Sequence, residues 1–299
     1  MKIENDLHDY LSCELLFSKH RKTAWLGQPH LVSNLIKNFE DEVKGLRSYV
    51  TPGTPGLNQI REEDPALKLS AEKHAKYRSG VGMLLYLVKH SRPDIANCVR
   101  ELSKVLDGPS EASYKEMLRC IKYVLDSKDM GLKIEPIGDK DDAWEIICYS
   151  DSDWAGDPES RRSVSGYIIY VQGVPVIWKS KSQNQVSLSS SESEWYALSE
   201  AVKDIIFLLD LCDNLGKEVS LPVTMYVDNI GAIFMSNNVS TSSRTKHIRT
   251  KYVRDFVEDG VVSIEFVPTG NNHSDILTKN VTAALQEKHS EKLIWEKQL

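Results

Sequence analysis

Four acidic residues in the second half of the chain each stand where a predicted strand or helix begins or ends. Asp151 closes an apolar strand, Glu194 lies near the start of a long helix, Asp228 joins a strand to a helix, and Asp275 precedes a last helix. Asp and Glu account for 43 of the 299 residues, so the position of an acid says more than its presence. Elements in this order can bring four carboxylates into one cleft, and carboxylate oxygens are the ligands that Mg²⁺ prefers.

Each of these acids also has a simpler local explanation. Asp151 could hydrogen-bond its own backbone in a turn, although Asp153 and Asp157 fit that role better. Glu194 could do no more than complement the dipole of its helix. The flanking residues alone do not decide between a ligand and these local roles.

Asp228 and Asp275 could be ordinary N-caps, since aspartate is favoured at that position. At the long helix, by contrast, Ser189 and Glu192 have the spacing of a capping box. A capping box at these residues leaves Glu194 available for another task.

The predicted elements change from helical to strand periodicity near residue 142. Helical patterns of apolar residues occupy 75–125, between a loop rich in Pro and Gly at 51–56 and a charged linker at 135–142. Beyond the linker we predict three strands, a long helix, a strand, two helices, a strand and a final helix. They are placed at 144–149, 167–171, 174–178, 191–214, 223–227, from 230, at 245–258, at 262–267 and from about 275.

Longer runs of residues carry a family resemblance. They are YRSGVGMLLYLVKHSRPDIA at 77–96, IWKSKSQ at 177–183, VSLSSSESEW at 186–195, SRTKHI at 243–248 and FVPTGNNHSDILTK at 266–279. Together they resemble the C-terminal part of copia-type retrotransposon Pol polyproteins, in which the end of a reverse transcriptase precedes a ribonuclease H (RNase H) domain. The resemblance extends over nearly the whole chain.

The resemblance implies a fold and a division into domains. The implied fold is α/β, an RNase H-like mixed sheet flanked by helices and preceded by a largely helical thumb and connection region. The implied boundaries are a reverse transcriptase palm end and thumb remnant at 1–56, a helical connection region at 57–142, an RNase H domain at 143–285 and a C-terminal tail at 286–299.

The resemblance also implies a catalytic site. Asp151, Glu194, Asp228 and Asp275 match the four acids of the family and would bind two Mg²⁺ ions, for which Mn²⁺ could substitute. Two such ions activate a water and neutralise the charge on the leaving oxygen. The implied reaction is hydrolysis of the RNA strand of an RNA–DNA hybrid, which leaves a 5′-phosphate and a 3′-hydroxyl. His273, beside Asp275, could assist product release or be an ordinary loop histidine.

Contacts to the hybrid are expected from polar and basic residues around the acids. Small hydroxyl residues and arginine at 161–166 could reach 2′-hydroxyls and phosphates, the groups that distinguish RNA from DNA. For the same residues, a polar hairpin turn and a solvated helix face are the alternatives. The expected contacts are Arg161, Arg162, Ser165, Lys179, Lys181, Gln183, Arg244, Lys246 and His247.

The distribution of charge bears on a nucleic-acid partner. The net charge of −6 argues against one when taken alone, because phosphate binding depends on Lys and Arg. Between residues 242 and 257, however, five basic residues stand against a single acid, Asp255. This basic stripe is a better indicator of nucleic-acid binding than the total charge.

The remaining composition favours a soluble protein in a reducing compartment. The five cysteines are widely spaced and include no C-x-x-C pair, which predicts neither a disulfide framework nor a zinc site. No segment is apolar enough for a membrane span, and the N-terminus lacks the features of a signal peptide. We therefore expect no membrane partner, no small-molecule cofactor and an intracellular location, either cytoplasmic in virus-like particles or nuclear.

A polymerase site is not expected. The Asp-Asp pair at 141–142 lies in the charged linker and follows no apolar strand, whereas a reverse transcriptase needs a Y-x-D-D type turn. The rest of a reverse transcriptase is therefore a possible partner. The alternative to an enzyme is a catalytically silent nucleic-acid-binding or interaction module derived from such an element. Retention of all four acids favours the enzyme.

Overall fold

The computed structural model describes residues 9–20, 22–138, 142–237 and 251–297. The chain divides into two compact units, the first made of residues 1–135 and 279–299 and the second of residues 136–278. Each unit has its own hydrophobic core.

The described elements up to residue 135 are three short strands, four α-helices and a fourth short strand. They are β1 (Asp9–Tyr10), β2 (Cys13–Phe17), β3 (Ala24–Gly27), α1 (Pro29–Val43), α2 (Ala71–His90), α3 (Ala96–Lys104), α4 (Glu111–Asp126) and β4 (Met130–Ile134).

The elements after residue 135 alternate between strands and helices. They are β5 (Ile146–Asp153), β6 (Val164–Val171), β7 (Val174–Ser182), α5 (Ser190–Asn214), β8 (Val223–Val227), α6 (Ile230–Asn237), α7 (Lys251–Glu258), β9 (Val262–Phe266), α8 (Asp275–Thr278), α9 (Ala283–Ser290) and β10 (Ile294–Glu296).

Helices α1 to α4 supply the core of the first unit. Serine N-caps start two of them, because Ser70 Oγ accepts the Lys73 N–H at 3.3 Å and Ser110 Oγ accepts the Ser113 N–H at 3.2 Å. The helical patterns predicted at 75–125 are thus present as α2, α3 and α4.

The first unit also contains an antiparallel sheet in the order β1-β2-β3-β4-β10. Trp295 of β10 lies opposite Gly131 of β4. A Cβ atom at Gly131 would lie 2.5 Å from the carbonyl oxygen of Leu26 in β3, so only glycine allows these strands to pair this closely.

The compact units divide the chain at other residues than the expected domain boundaries, which stay a prediction. The expected tail at 286–299 instead contains the end of α9 and the strand β10, and residues 279–299 belong to the first unit. A strand as short as β10 shows too few alternating positions to be recognised in a sequence. Its pairing with β4 joins segments far apart in the chain, which no local pattern indicates.

The second unit is built on a mixed sheet in the order β7-β6-β5-β8-β9. The β5–β6 and β6–β7 pairs are antiparallel, and the β5–β8 and β8–β9 pairs are parallel. Apolar side chains of α5 pack against this sheet at helical spacing, among them Leu198, Val202 and Ile205. The predicted α/β fold, a mixed sheet flanked by helices, is confirmed.

β5 continues to Asp153, beyond the predicted end at 149, so Asp151 lies inside a strand.

Among the described residues, no helix combines the length and the apolar character needed to cross a membrane.

Candidate active site

Two neighbouring parallel strands bring Asp151 and Asp228 to the same level of the sheet. Tyr149 of β5 is paired with Tyr226 of β8. Asp151 lies two residues further along β5, and Asp228 lies two residues after Tyr226, just past the end of β8. Residues two apart in a strand project to the same face, so the two carboxylates lie side by side. Asp151 is buried within β5, and Asp228, directly after β8, is half-buried.

The third acid, Glu194, is brought to the same place by the first turns of α5. Ser189 Oγ accepts the N–H of Glu192 at 3.2 Å, and Glu192 Oε2 accepts the N–H of Leu188 at 2.6 Å. Glu192 therefore takes the capping role predicted for it. Glu194 faces β5 instead, where its Oε1 accepts the N–H of Ser152 at 3.1 Å.

Asp151, Glu194 and Asp228 form one group, with a carboxylate oxygen of each within 4.8 Å of the other two. Asp151 and Glu194 are only 3% and 5% exposed. Burial, together with the negative charges of Asp151 and Asp228, raises the pKa of Glu194 to about 9. At neutral pH, Glu194 therefore holds a proton while no cation is bound, and this proton reduces the repulsion among the three side chains.

The donor atoms of this group fit a divalent cation. Oε2 of Glu194 is buried and has no hydrogen-bond partner within the described part of the chain. Buried polar atoms in proteins nearly always have such a partner. A partner from outside the protein, such as a cation, is therefore expected at this oxygen. Three carboxylates and no nitrogen or sulfur donor suit hard cations such as Mg²⁺ and Mn²⁺.

Asp275, the expected fourth ligand, is not part of this group among the residues that the structure describes. It begins α8 and is buried. The contact from α8 to the group comes from its last residue, Thr278, whose hydroxyl donates a hydrogen bond to Oδ2 of Asp151. A ligand role for Asp275 stays a prediction.

The structure assigns the simpler local roles considered for Asp228 and Asp151 to other residues. Asn229, not Asp228, caps α6, because its Oδ1 accepts the N–H of Ala232 at 3.0 Å. Asp157 has the turn role, since it accepts the hydroxyl of Ser160. Asp151 lies inside β5 and not in the turn that follows.

The expected nucleic-acid contacts are placed unevenly. Four of them, Ser165, Lys179, Lys181 and Gln183, line one cavity of about 430 Å³ together with residues of α5. Lys181 is exposed. The Nζ of Lys179 lies 2.7 Å from Oδ2 of Asp204, so part of its charge is already compensated within the protein.

Gln183 and Ser165 are both buried and bonded to each other. Gln183 Nε2 donates to Ser165 Oγ at 3.0 Å and to the Ser193 carbonyl at 2.9 Å, and Gln183 Oε1 accepts the Ser187 hydroxyl at 2.9 Å. These bonds occupy the amide, so Gln183, directly after β7, holds the end of that strand to the start of α5. A contact from Gln183 or Ser165 to nucleic acid stays a prediction.

The remaining expected contacts are basic residues. Arg161 and Arg162 are exposed in the turn between β5 and β6. Arg244, Lys246 and His247 lie outside the described residues. Within the described end of the basic stripe, Arg254 of α7 donates through Nε to the carbonyl of Met235 at 2.7 Å, which shows a partly structural role for this arginine.

An aromatic group beside the acids went unrecognised in the sequence. The Tyr149 ring stacks on His273 with centroids 4.1 Å apart and on Tyr226 with centroids 5.1 Å apart, and the Tyr170 hydroxyl lies 3.1 Å from His273 Nδ1. Tyr149, Tyr226 and His273 each stand two residues before one of the predicted acids. This repeated spacing is the signal that the sequence offers for the group. The ring contacts place His273 in a packed cluster.

Comparisons with known proteins identify relatives of the chain. It is 32% identical over 220 residues to the Retrovirus-related Pol polyprotein from transposon RE2 of Arabidopsis thaliana, a match covering 73% of this chain and 15% of the polyprotein. It is 29% identical over 288 residues to the Pol polyprotein from transposon TNT 1-94 of Nicotiana tabacum, covering 94% of this chain and 21% of that polyprotein.

The chain is also similar to one shorter protein and to one solved structure. The Secreted RxLR effector protein 161 of Plasmopara viticola is 40% identical over 136 residues, which are 46% of this chain and 93% of that protein. The structure of LC11-RNase H1, isolated from compost, matches with a TM-score of 0.36 and 18% identity over 45% of this chain and 92% of that chain. No family model matches.

The Pol polyproteins match most of this chain, whereas the chain spans only 15% and 21% of their lengths. The match to the TNT 1-94 polyprotein covers 94% of this chain, so it includes the four acids and the mixed sheet that places three of them together. The chain therefore belongs to the copia-type retrotransposon Pol polyproteins, and it corresponds to a limited segment of them.

Proposed function

We propose that this chain is a metal-dependent ribonuclease H that hydrolyses the RNA strand of RNA–DNA hybrids. The observation that carries the proposal is the buried group of Asp151, Glu194 and Asp228, with the Oε2 atom of Glu194 lacking a partner among the described residues. Buried acids this close together cost free energy, and such arrangements concentrate at functional sites. Relationship to Pol polyproteins supports the same function.

The three acids would hold the cation through one carboxylate oxygen each, and Asp275 is proposed as a further ligand from α8. A divalent cation bound there supplies a water of lowered pKa and stabilises charge on the leaving oxygen. The protein's contribution is to hold the ligands in place: the N–H of Ser152 orients Glu194, and the strand pairing fixes Asp151 beside Asp228.

Substrate binding is proposed to come from the positive side chains near the site. Arg161, Arg162 and Lys181 are exposed and could contact phosphates, and the basic stripe at 242–257 would add further contacts. Recognition of 2′-hydroxyls would distinguish the RNA strand from DNA.

Cleavage of a labelled RNA–DNA hybrid by the purified chain tests the proposal. With Mg²⁺ or Mn²⁺, we expect the RNA strand to be cut and a DNA duplex of the same sequence to stay intact. Asp151→Asn and Asp228→Asn each remove a charged ligand and should abolish cleavage, as should EDTA. Asp157→Asn is the matched control, because Asp157 accepts the Ser160 hydroxyl in the nearby turn and does not belong to the group of Asp151, Glu194 and Asp228. This variant should cleave like the wild type.

The outcome that contradicts the proposal is wild-type cleavage by either ligand variant, or full cleavage in EDTA. We also propose that the chain has no polymerase activity, since no Y-x-D-D type turn is present in its sequence. The same preparation should extend no primer on an RNA template, and extension would overturn that part of the proposal.

A further inference from the structure

The segment from Asn272 to Thr278 is attached to β5 beside Asp151. Asn272 is fully buried, and its Nδ2 donates to the carbonyl of Ser150 at 2.9 Å. Its Oδ1 accepts the Ser274 hydroxyl at 2.6 Å and the Ser274 N–H at 3.2 Å. Both ends of this amide are therefore occupied, which holds the start of α8 against the residue that precedes Asp151.

The other end of the segment reaches Asp151 itself. Thr278 is 1% exposed, and its hydroxyl donates to Oδ2 of Asp151. The hydroxyl oxygen of Thr278 also lies 3.1 Å from the carbonyl oxygen of Asp275. A hydroxyl has one proton to donate, and a carboxylate is a stronger acceptor than a backbone carbonyl, so the bond to Asp151 takes that proton.

The sheet is shaped to admit this contact. Gly166 of β6 is the residue paired with Asp151, and α8 lies over it. A Cβ atom at Gly166 would lie 2.6 Å from Cγ2 of Thr278 and 2.9 Å from Cβ of Leu277. Only glycine at this position leaves room for Thr278 to approach the carboxylate.

We propose that Thr278 is a positioning residue for Asp151, and that its hydroxyl holds Oδ2 so that the carboxylate stays directed toward Glu194 and Asp228. Loss of this bond would remove one of the contacts that hold Asp151 in this orientation, close to the negative charge of Asp228. The hydroxyl thus offsets part of the cost of keeping three acids within 4.8 Å before a cation arrives. The inference rests on the proposed cation site.

The effect should appear first in the affinity for the cation. Partners that orient a metal ligand contribute about 10- to 100-fold in metal affinity or activity. Thr278→Val keeps the shape of the side chain and removes the hydroxyl. Thr278→Ser keeps the hydroxyl and removes the methyl group that lies over Gly166. The two substitutions therefore separate hydrogen bonding from packing.

The experiment measures cation binding apart from catalysis, by the rise in melting temperature of the full chain as Mg²⁺ is added. Thr278→Val should need about 10- to 100-fold more Mg²⁺ than the wild type for half of the maximal rise. Thr278→Ser should bind nearly as the wild type does. Hybrid cleavage titrated with Mg²⁺ should show the same shift, with rates recovering toward wild type at high Mg²⁺.

A wild-type Mg²⁺ titration for Thr278→Val would overturn the inference, as would a larger defect in Thr278→Ser than in Thr278→Val. If Thr278→Val does not fold, Thr278→Ala and Thr278→Ser decide, since both lack the methyl group and they differ only in the hydroxyl. Equal Mg²⁺ titrations for that pair also overturn it. Asp151→Asn separates the proposed cation site from the proposed role of Thr278. If that variant binds Mg²⁺ and cleaves the hybrid like the wild type, the cation site itself is ruled out.

Discussion

The two units bury charged side chains in opposite ways. In the first unit, Arg92 and Asp94 are 2% and 1% exposed and form a two-pronged ion pair, with Nε–Oδ1 and Nη2–Oδ2 distances of 2.9 Å. In the second unit, Asp151 and Glu194 are 3% and 5% exposed, but the groups that lie beside each of them in their cluster are other acids.

The partners of the two sets differ as much as the charges do. Arg92 also donates to the hydroxyl and the carbonyl of Ser127, at 2.9 and 3.1 Å, and Asp94 Oδ2 accepts the Tyr123 hydroxyl at 3.2 Å. Nε, Nη1 and Nη2 of the guanidinium thus each have an acceptor. Glu194, by contrast, keeps one oxygen without a partner in the described chain.

This difference separates a structural from a functional use of buried charge. A buried ion pair with all its hydrogen bonds made is costly to break, because removing one member leaves the other charge buried alone. A buried group of like charges lowers the stability of the fold until a ligand of opposite charge binds. The first arrangement should therefore lose stability on neutralisation, and the second should gain it.

The largest effect is expected at the ion pair. Asp94→Asn leaves the guanidinium of Arg92 buried without a counter-charge, and it should lower the free energy of unfolding by roughly 3–5 kcal/mol. Urea unfolding followed by circular dichroism measures the loss. The matched control is Asp107→Asn, which breaks an exposed pair with Arg61 at 3.0 Å.

The exposed pair should contribute less than about 1 kcal/mol, since solvent screens it. If Asp94→Asn is no more harmful than Asp107→Asn, the buried pair does not stabilise the first unit, and the contrast between the two units is lost.

An intermediate effect of opposite sign is expected at Glu194. Its pKa is about 9 in the folded chain against an ordinary value of 4.5, so the folded state holds a proton that the unfolded state releases. A carboxyl with a raised pKa contributes stability that is complete below about 4.5 and is lost as the pH rises through about 9. Glu194→Gln is neutral at every pH and avoids this loss.

In EDTA at pH 7, Glu194→Gln should therefore be more stable than the wild type, by an amount on the order of 1–3 kcal/mol. The difference should shrink toward zero near pH 4 and grow as the pH rises. Thermal unfolding across this pH range measures it. Added Mg²⁺ should reverse the order, because only the wild type keeps the full set of ligands. A destabilised variant in EDTA at pH 7 would contradict the proposed repulsion among the acids.

The sequence predicted what depends on local pattern. The strands and helices of the second unit, the capping pair Ser189 and Glu192, and the α/β fold follow from periodicity and turn chemistry over short stretches.

Contacts between distant segments were not predictable in this way. Nothing near Thr278 indicates that its hydroxyl reaches a carboxylate in β5, and nothing near Gln183 indicates that its amide is used inside the protein. The ion pair of Arg92 and Asp94 lies in a run that was noticed only for its family resemblance. Such roles depend on which elements pack together, and a residue's neighbours in sequence do not contain that information.

The smallest effect is expected at Glu192, and it sharpens the contrast within a single helix turn. Glu192 is buried like Glu194, but its Oε2 accepts the N–H of Leu188 and it stands at the start of α5, where a negative charge is favourable. Glu192→Gln keeps an acceptor oxygen and removes the charge, so it should destabilise the protein by about 0.3–1 kcal/mol in EDTA at pH 7. Thermal unfolding beside Glu194→Gln, the same substitution two residues away, should show shifts of opposite sign. If both variants are more stable than the wild type by similar amounts, burial of an acid at the start of α5 explains both shifts. Repulsion among Asp151, Glu194 and Asp228 would then be contradicted.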